Sequence, residues 1–289
     1  MLTALGTEVA VVSRRSGDPG IETYADIASA LAQRRFDYAV VADETARHRT
    51  TLSVLRAHGF AGPVLVEKPV FERTMPGDDA IQAPVFVGYN LRFHPLAQRL
   101  QTLLGERAIV SAEIHVGQHL ADWRPGRDHR ASYSGDAEAG GGVLRDLSHE
   151  LDLALWLFGK LRRVSAIAGR SGALGTNAED HALLLASFAR CPACSIALNC
   201  LDRPARRAVH VVTTAGNATL DFIAGTFSVD GETVERAALD RDATYRAQHE
   251  ALLSGAPSPL CTYEEGLAAL RFVEAAERAN LARTWIEAA

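Results

Sequence analysis

The sequence predicts an α/β chain: an incomplete, doubly wound parallel sheet followed by an α+β domain with a large, mostly antiparallel sheet. Between residues 8 and 90, short apolar runs alternate with segments of helical spacing, and short links join them. Regular alternation of this kind is typical of parallel sheets. After about residue 105, longer alternating runs lie close together with turn residues between them, which indicates antiparallel pairing. The predicted domains are therefore residues 1–105 and 106–289.

Each element is predicted from the spacing of its apolar residues. In the first region, Tyr24, Ile27 and Leu31 repeat on one face of a helix. The predicted strands of this region are Val9–Val12, Tyr38–Ala42, Val64–Val66 and Val85–Tyr89, and its helices are Tyr24–Arg34 and Thr45–His58. The predicted strands of the second region are Ala108–Gly117, Val164–Gly169, His181–Phe188, Ser195–Leu201, Ala208–Thr213 and Ala218–Phe222, and the helices are Val143–Phe158, Thr244–Ser254 and Tyr263–Ala282.

The bulk composition is typical of a globular protein. Of 289 residues, 47% are hydrophobic and 22% are charged, and no apolar run is long enough to span a bilayer. A net charge of -5 without a basic stripe argues against a nucleic-acid partner. Because the N-terminus has no basic segment followed by an apolar one, we expect no secretory signal, no membrane partner and a cytoplasmic location.

Four cysteines are too few for a disulfide framework in a chain of this size. Two of them, Cys191 and Cys194, have the C-x-x-C spacing of a redox or metal-binding pair. A zinc site requires a second ligand pair, and a redox site requires the motif to open a helix after a strand. Since the motif lies between two apolar runs instead, we interpret it as a hairpin turn and predict no metal site.

The stretch "VLVEKPVF" (64–71) ends a predicted buried strand with Glu67, Lys68 and Pro69. Parallel sheets place their ligands at the carboxyl ends of the strands, and lysine is rarely buried without a partner. The proline forces Lys68 into an extended conformation and permits a cis peptide bond, which fixes the direction of the ammonium group. Lys68 is therefore either a site residue or a surface lysine paired with Glu67.

The stretch "GGGVLRDLSHELDLALWLFG" (140–159) leads from three glycines into an almost wholly apolar helix that ends at Gly159. Asp146 and His149 are three residues apart, which places them on one face of that helix. A carboxylate beside a histidine suits general acid–base chemistry, and glycines let a ligand approach the backbone closely. The alternative is that Asp146 caps the helix and His149 is a hydrogen-bonded core residue.

The loop "GQHLADWRPGRDHRASYS" (117–134) combines arginines with aromatic residues. Guanidinium groups suit a carboxylate or phosphate, and aromatic rings suit the apolar face of a sugar or base. The residues expected to bind substrate here are Trp123, Arg124, Arg127, Arg130 and Tyr133. The alternative is a solvated loop whose arginines pair internally with Asp122 and Asp128.

These motifs together resemble the Gfo/Idh/MocA family of sugar and cyclitol dehydrogenases, which includes relatives of glucose-fructose oxidoreductase and inositol dehydrogenase. The resemblance covers nearly the whole chain and rests on the segments "ADETARHRTT", "EKP", "GYNLRFHP", "GGGVLRDLSHELD", "EDHALLLASF" and "YEEGLAALRFVEAA". It implies a Rossmann-type domain that binds nicotinamide dinucleotide, and a second domain whose sheet holds the substrate.

By this resemblance, Lys68 is expected to be the active-site lysine, His149 the acid–base residue and Asp146 its companion. The family usually has four residues from that aspartate to the histidine, whereas this chain has three, as in the branch that reads "DLSHELD". The further residues assigned to the cofactor are Thr45, His48 and Glu67, and the further residue assigned to the substrate is Arg92.

The family pattern begins with a strand, a G-x-G-x-x-G loop and a helix, and this chain starts with the segment that follows them, Leu5–Arg15. In that pattern the glycine loop and the helix N-terminus hold the pyrophosphate of the dinucleotide. We therefore expect either a start about 25 residues upstream, the length of a strand–loop–helix unit, or a natural relative without this part. Without the glycine loop, the 289-residue form is expected to bind the dinucleotide poorly.

The expected activity is hydride transfer between NAD(P) and a secondary alcohol or ketone of a sugar or sugar derivative, anionic or nucleotide-linked. The strand that ends with Val12 continues as Ser13-Arg14-Arg15 and has no carboxylate to bind the ribose 2′-hydroxyl of NAD. Arginine accommodates the 2′-phosphate of NADP, so this strand end favours NADP over NAD. We also expect a homo-oligomer formed through the open face of the second-domain sheet. The competing interpretation is a cofactor-less binding or partner subunit.

Overall fold

The computed structural model describes residues 1–13, 20–78, 84–256 and 258–288. The chain divides into two compact units. The first comprises Met1–Phe93 and Asp240–Leu267, and the second comprises His94–Leu239 and Ala268–Ala289. The assignment of residues 1–105 to the cofactor and residues 106–289 to the substrate stays a prediction.

In the described residues, the strands are β1 (Ala10–Val12), β2 (Glu22–Tyr24), β3 (Ala39–Val41), β4 (Val64–Val66), β5 (Val85–Val87), β6 (Ile109–Gly117), β7 (Leu161–Gly169), β8 (His181–Phe188), β9 (Cys194–Asn199), β10 (Arg206–Thr213), β11 (Gly216–Asp221), β12 (Thr226–Val229), β13 (Glu232–Arg236), β14 (Cys261–Thr262) and β15 (Ile286–Glu287). The helices are α1 (Ile27–Gln33), α2 (His48–Ala57), α3 (Pro95–Gly105), α4 (Leu120–Trp123), α5 (Val143–Asp146), α6 (Ser148–Phe158), α7 (Ala243–Ser254) and α8 (Tyr263–Ala282). Among these helices, none is both long enough and apolar enough to cross a bilayer.

The first unit contains two separate sheets. Strands β3, β4 and β5 are parallel, and the short antiparallel β14 extends them to the order β14–β5–β4–β3. Strands β1 and β2 form a parallel pair of their own. All three residues of β4 are apolar and buried, the pattern of a parallel strand covered on both faces.

Residues 240–267 return to the first unit and pack on its sheet. Leu252 of α7 and Leu260 join Leu65 and Phe93 in one buried apolar cluster. The Tyr38 hydroxyl also lies 2.7 Å from His249 Nδ1, which joins the start of β3 to α7. The first unit is therefore built from two stretches of sequence that are distant along the chain.

The second unit is built on one nine-stranded sheet in the order β13–β12–β11–β10–β6–β9–β8–β7–β15. Its strand pairs are antiparallel except for β6 and β9, which run parallel. With the parallel sheet of the first unit, this confirms the predicted fold class. The hairpin of β8 and β9 also confirms the predicted turn at the C-x-x-C motif.

One face of this sheet packs against the helices of the second unit, and the other face is open. In β8, Leu184 is fully buried, whereas Leu183 beside it is 50% exposed. Ile167 is paired with Leu183 and therefore projects from the same open face, which also carries the exposed Leu185. A homo-oligomer through this face stays a prediction.

Several elements of the structure differ from the prediction. Helix α1 begins at Ile27 rather than Tyr24, because Asp26 caps it and accepts a hydrogen bond from Ser29 N (2.7 Å). The predicted helix Val143–Phe158 is interrupted at Leu147, which separates α5 from α6. Helix α3 was not predicted; its Pro95 lies in the first turn, where proline is well tolerated.

We predict that Leu184→Ala lowers the free energy of unfolding by about 2–5 kcal/mol, because it leaves a cavity in the core of the second unit. Leu183→Ala is the matched control, since it removes the same atoms from the open face and should change stability by less than about 0.5 kcal/mol. Urea denaturation at low protein concentration measures both variants. Equal losses would contradict the assignment of the two faces.

Candidate functional site

His48 joins the two loops that follow β3 and β4. It is buried, and its Nδ1 and Nε2 each lie 3.1 Å from a backbone oxygen, of Val70 and Asp43 respectively. Both partners are carbonyl acceptors, so a neutral imidazole with one N–H can donate to only one of them at a time. Thr45 is half-buried and begins the short 3-10 turn before His48. Both predicted cofactor residues thus lie at the carboxyl end of β3.

Arg49 holds the segment that follows the "EKP" motif, residues 70–78. Its Nε and Nη2 donate to the carboxylate of Asp78 at 3.0 and 2.8 Å, and Nη2 also donates to Arg73 O at 3.0 Å. The guanidinium carbon lies 3.9 Å from the centre of the Phe71 ring, within the range of a cation–π interaction. The sequence does not indicate this cluster, because its members have no recognisable spacing.

Glu67 and Lys68 are half-buried at the carboxyl end of β4, and the Lys68–Pro69 peptide bond is cis. Burial raises the pKa of the Glu67 carboxyl, and the neighbouring charges of Lys68 and His48 oppose that rise. A Cβ on Gly88 would lie 3.2 Å from Glu67 Oε2, so glycine at this position gives the carboxylate room. The predicted site residues of β4 thus lie in a partly desolvated environment.

Arg92 is buried at the end of the first stretch of this unit. Its Nη1 donates to Glu265 Oε2 at 2.9 Å, and the same carboxylate oxygen accepts from Thr262 N at 2.9 Å. The ion pair connects the 3-10 turn after β5 to the start of α8. Its predicted role in substrate binding stays a prediction.

Ser13 is the last described residue after β1, and its N–H donates to Tyr24 O at 3.2 Å. That bond extends the β1–β2 pairing by one residue. Arg14 and Arg15, which carry the predicted preference for NADP, lie outside the described residues.

In the second unit, the glycines before α5 are required by the protein's own packing. A Cβ on Gly141 would collide with the backbone oxygen of Tyr133, and a Cβ on Gly142 would collide with the carboxylate of Glu179. Gly142 also has a φ of 134°, which disfavours other residues. Glu179 Oε1 accepts from Leu144 N at 3.3 Å, and burial raises the pKa of this carboxyl. The interpretation that these glycines admit a ligand is therefore corrected for Gly141 and Gly142.

Asp146 and His149 lie on either side of a helix break. Leu147 has φ -97° and ψ 27°, so Asp146 ends α5 while His149 lies in the first turn of α6. Both residues are half-buried. Burial, followed by the charge of Asp146, raises the pKa of the Cys200 thiol to about 12. Their catalytic roles stay predictions.

A buried charged cluster that sequence analysis missed lies next to His149. Glu150 is 1% exposed, and its Oε1 accepts from Arg207 Nε of β10 at 2.6 Å. His94 packs edge to face against Phe222 with ring centres 4.9 Å apart. Burial and the Arg207 charge lower the pKa of His94 from 6.5 to about 4. The imidazole of His94 is therefore neutral near pH 7.

The predicted substrate loop is ordered largely by internal bonds. Arg130 donates two hydrogen bonds to Asp128, both at 3.0 Å, which matches the alternative of internal pairing for this arginine. The Tyr133 hydroxyl donates to Gly140 O at 2.9 Å. Arg130 and Tyr133 both line a cavity of about 610 Å³ together with polar groups of Asp136 and Asn177. The predicted substrate residues of this loop that do not line the cavity are Trp123, Arg124 and Arg127.

Residues 99–219 match the model of the GFO/IDH/MocA C-terminal domain. This match includes α5, α6 and the substrate loop, and it confirms the resemblance that the motifs indicate. Over these residues the chain is therefore similar to the Gfo/Idh/MocA family.

Three further proteins are similar to this chain. The oxidoreductase candidate YceM of Salmonella typhimurium is 28% identical over 154 residues, which cover 51% of this chain and 43% of YceM. The chain thus matches less than half the length of this curated relative. The structure of GenD2 from gentamicin A biosynthesis, in complex with NAD, is 24% identical with a TM-score of 0.74, covering 93% of this chain and 83% of GenD2. The structure of WlbA dehydrogenase of Bordetella pertussis, in complex with NADH and UDP-GlcNAcA, is 22% identical with a TM-score of 0.74. The match covers 93% of this chain and 84% of WlbA.

We predict that the neutral state of His94 makes the protein less stable in mild acid. The unfolded chain binds the proton near pH 6.5 and the folded chain only near pH 4, so the free energy of unfolding falls as the pH decreases between these values. His94→Gln should reduce this loss by up to about 3 kcal/mol. The exposed His58→Gln is the control and should keep the wild-type acid slope. Urea denaturation from pH 7 to 4 measures the free energy of unfolding. If it falls equally in the wild type and in His94→Gln, the assignment is contradicted.

Proposed function

We propose that this chain is an NAD(P)-dependent oxidoreductase that transfers a hydride to or from a secondary alcohol or ketone of a sugar or sugar derivative. The match of residues 99–219 to the GFO/IDH/MocA C-terminal domain carries the proposal, because it contains both Asp146 and His149. The folds shared with GenD2 and WlbA support it, since those proteins were solved with NAD and NADH.

The polar residues at the strand ends of the first unit support a dinucleotide as the cofactor. Parallel sheets bind nucleotides at the carboxyl ends of their strands. Here the ends of β1, β3 and β4 carry Ser13, Thr45 with His48, and Glu67. Glycine at position 88 leaves the Glu67 carboxylate uncrowded. In this proposal these residues hold the cofactor, and the cofactor accepts or supplies the hydride when bound.

The proposal assigns the proton to His149. A half-buried imidazole in the first turn of a helix can accept the hydroxyl proton as an alcohol is oxidised and return it in the reverse reaction. Lys68 is assigned an electrostatic role, because its positive charge can stabilise a negative charge that develops on a substrate oxygen. Asp146 orients His149 in this scheme.

We further propose an anionic sugar as substrate. The predicted arginines of the substrate loop support this class, as does the polar cavity that Arg130 and Tyr133 line. WlbA is described in complex with UDP-GlcNAcA, a nucleotide-linked sugar, which supports the same class. In a thermal-shift screen, stabilisation by neutral sugars only would contradict this assignment.

We predict that NADPH binds about tenfold more tightly than NADH, since the guanidinium groups of Arg14 and Arg15 can pair with the 2′-phosphate. Fluorescence titration with both reduced cofactors, on a form that also carries the strand and glycine loop of the family pattern, measures the difference. Replacing both arginines by alanine should abolish the preference while leaving NADH affinity nearly unchanged. Tighter binding of NADH would refute the preference. If neither cofactor binds, a cofactor-less binding or partner subunit becomes the better interpretation.

We predict that His149→Ala lowers turnover by about 10²–10⁴-fold, the usual contribution of a positioned acid–base group. Lys68→Ala should lower turnover by about 10²–10³-fold, the usual contribution of one group that stabilises a developing charge. Lys160 is the only other lysine of the chain and is exposed, so Lys160→Ala is the matched control; His58→Ala is the control for histidine. The assay follows the absorbance of the reduced cofactor with the sugars that stabilise the protein. Near-normal turnover in both site variants would refute the assigned roles.

A further inference from the structure

Arg207 lies at the start of β10, on the face of the sheet that the helices cover. Val209 and Val211 of the same strand are buried on that face, and alternate residues of a strand share a face. The Nε of Arg207 donates to Oε1 of the buried Glu150 at 2.6 Å. Because Glu150 directly follows His149 in α6, this ion pair holds the guanidinium at the first turn of the helix that carries the proposed acid–base residue.

The ion pair with Glu150 uses only the Nε of the guanidinium. Within the described residues, Nη1 and Nη2 of Arg207 donate no hydrogen bond to another side chain or to a backbone oxygen. The side chain is 26% exposed, and neither atom is among the buried polar atoms that have no partner, so both reach solvent. Nη1 and Nη2 present the remaining N–H donors in one plane, a fork that fits two oxygens of a carboxylate or phosphate.

Glu150 fixes the direction of the guanidinium without cancelling its positive field. Its carboxylate is 1% exposed, and in the described part of the chain its Oε2 has no hydrogen-bond partner, so Arg207 supplies its ion pair. The Arg207 charge still adds to burial in lowering the pKa of His94 to about 4. A side chain that is already fixed loses little freedom when it binds an anion, and its remaining positive potential attracts one.

The arginines of the predicted substrate loop do not combine these properties. Arg130 already donates two hydrogen bonds to Asp128. Arg124 and Arg127 are exposed and do not line the cavity of that loop. Arg207 differs from them because a buried carboxylate anchors it while two of its nitrogens stay available.

We propose that Arg207 binds the anionic group of the sugar substrate, through two parallel hydrogen bonds from Nη1 and Nη2 to a carboxylate or phosphate. The inference rests on the proposed function, because it takes the substrate to be a sugar. These bonds form only with an anionic sugar, so Arg207 selects anionic sugars over neutral ones.

Isothermal titration calorimetry with D-glucuronate, glucose 6-phosphate and glucose tests this site without any turnover. The wild type should bind one of the two anions about tenfold more tightly than glucose. Arg207→Lys keeps a cation for Glu150 but loses the planar fork, so it should weaken the binding of that anion about tenfold and leave the affinity for glucose unchanged. The anion that binds more tightly shows whether the recognised group is a carboxylate or a phosphate.

Arg206→Lys is the matched control for this experiment. Arg206 is the exposed neighbour of Arg207 in β10 and projects from the opposite face of the sheet, so its variant should keep the wild-type affinities. A double variant, Glu150→Gln with Arg207→Gln, covers an unstable Arg207→Lys, because it removes both charges and leaves neither of them buried without a partner. It should also lose the preference for the anion.

Two results would overturn the proposal. One is a wild type that binds neither anion more tightly than glucose. The other is an affinity for the anion that is equal in the wild type and the Arg207 variants, or that falls equally in Arg206→Lys. If the anion binds through Arg207 but no sugar is oxidised or reduced, the proposed function fails while the anion site is retained. If an anionic sugar is turned over with the same KM in Arg207→Lys, only the role of Arg207 fails.

Discussion

The second unit depends on the burial of one face of the nine-stranded sheet beneath α6. This helix is largely apolar, yet its first turns bury Ser148, Glu150 and Asp152. A buried carboxylate is costly unless it is paired, and Arg207 of β10 supplies that partner for Glu150. The ion pair therefore holds the start of α6 on the sheet, and the position of His149 follows from it.

The loops at the strand ends of the first unit are held in a different way. There, long side chains bind backbone oxygens or distant carboxylates: His48 contacts the loops after β3 and β4, and Arg49 contacts Arg73 O and Asp78. Hydrogen bonds of this kind satisfy loop carbonyls that no sheet or helix can satisfy. The proposed cofactor residues thus stand on loops that are ordered by side-chain hydrogen bonds to backbone oxygens and to a carboxylate.

The elements best predicted from the sequence were those with a long, regular burial pattern. Strand β8 and helix α8 begin and end at the predicted residues, because each repeats its apolar positions over its full length. Strand β13 was missed because all five of its residues are exposed, which leaves no burial pattern. The break at Leu147 was missed because the apolar period continues through it.

The candidate site was predicted only where chemistry and local spacing coincide. Lys68 and His149 follow from short motifs, but the groups that surround the site residues come from far along the chain. The partners of Arg92 and Glu150 lie 173 and 57 residues away. No spacing rule reveals such pairs, since they form only when the sheets and helices assemble. The need for glycine at 141 and 142 could not be predicted for the same reason, because the groups that crowd them, Tyr133 and Glu179, belong to other segments of the chain.

The scarcity of lysine has a consequence for the surface charge of the whole molecule. All but two of its 30 basic side chains are arginine, and a guanidinium keeps its proton at every pH a cell reaches. The positive charge of these side chains is therefore permanent, and near neutral pH the net charge changes mainly through groups of the histidine and terminal-amine type. Guanidinium groups also do not condense with carbonyl compounds as amines do. A chain proposed to act on sugar carbonyls thus offers such compounds only two lysine amines, of which Lys160 is the exposed one.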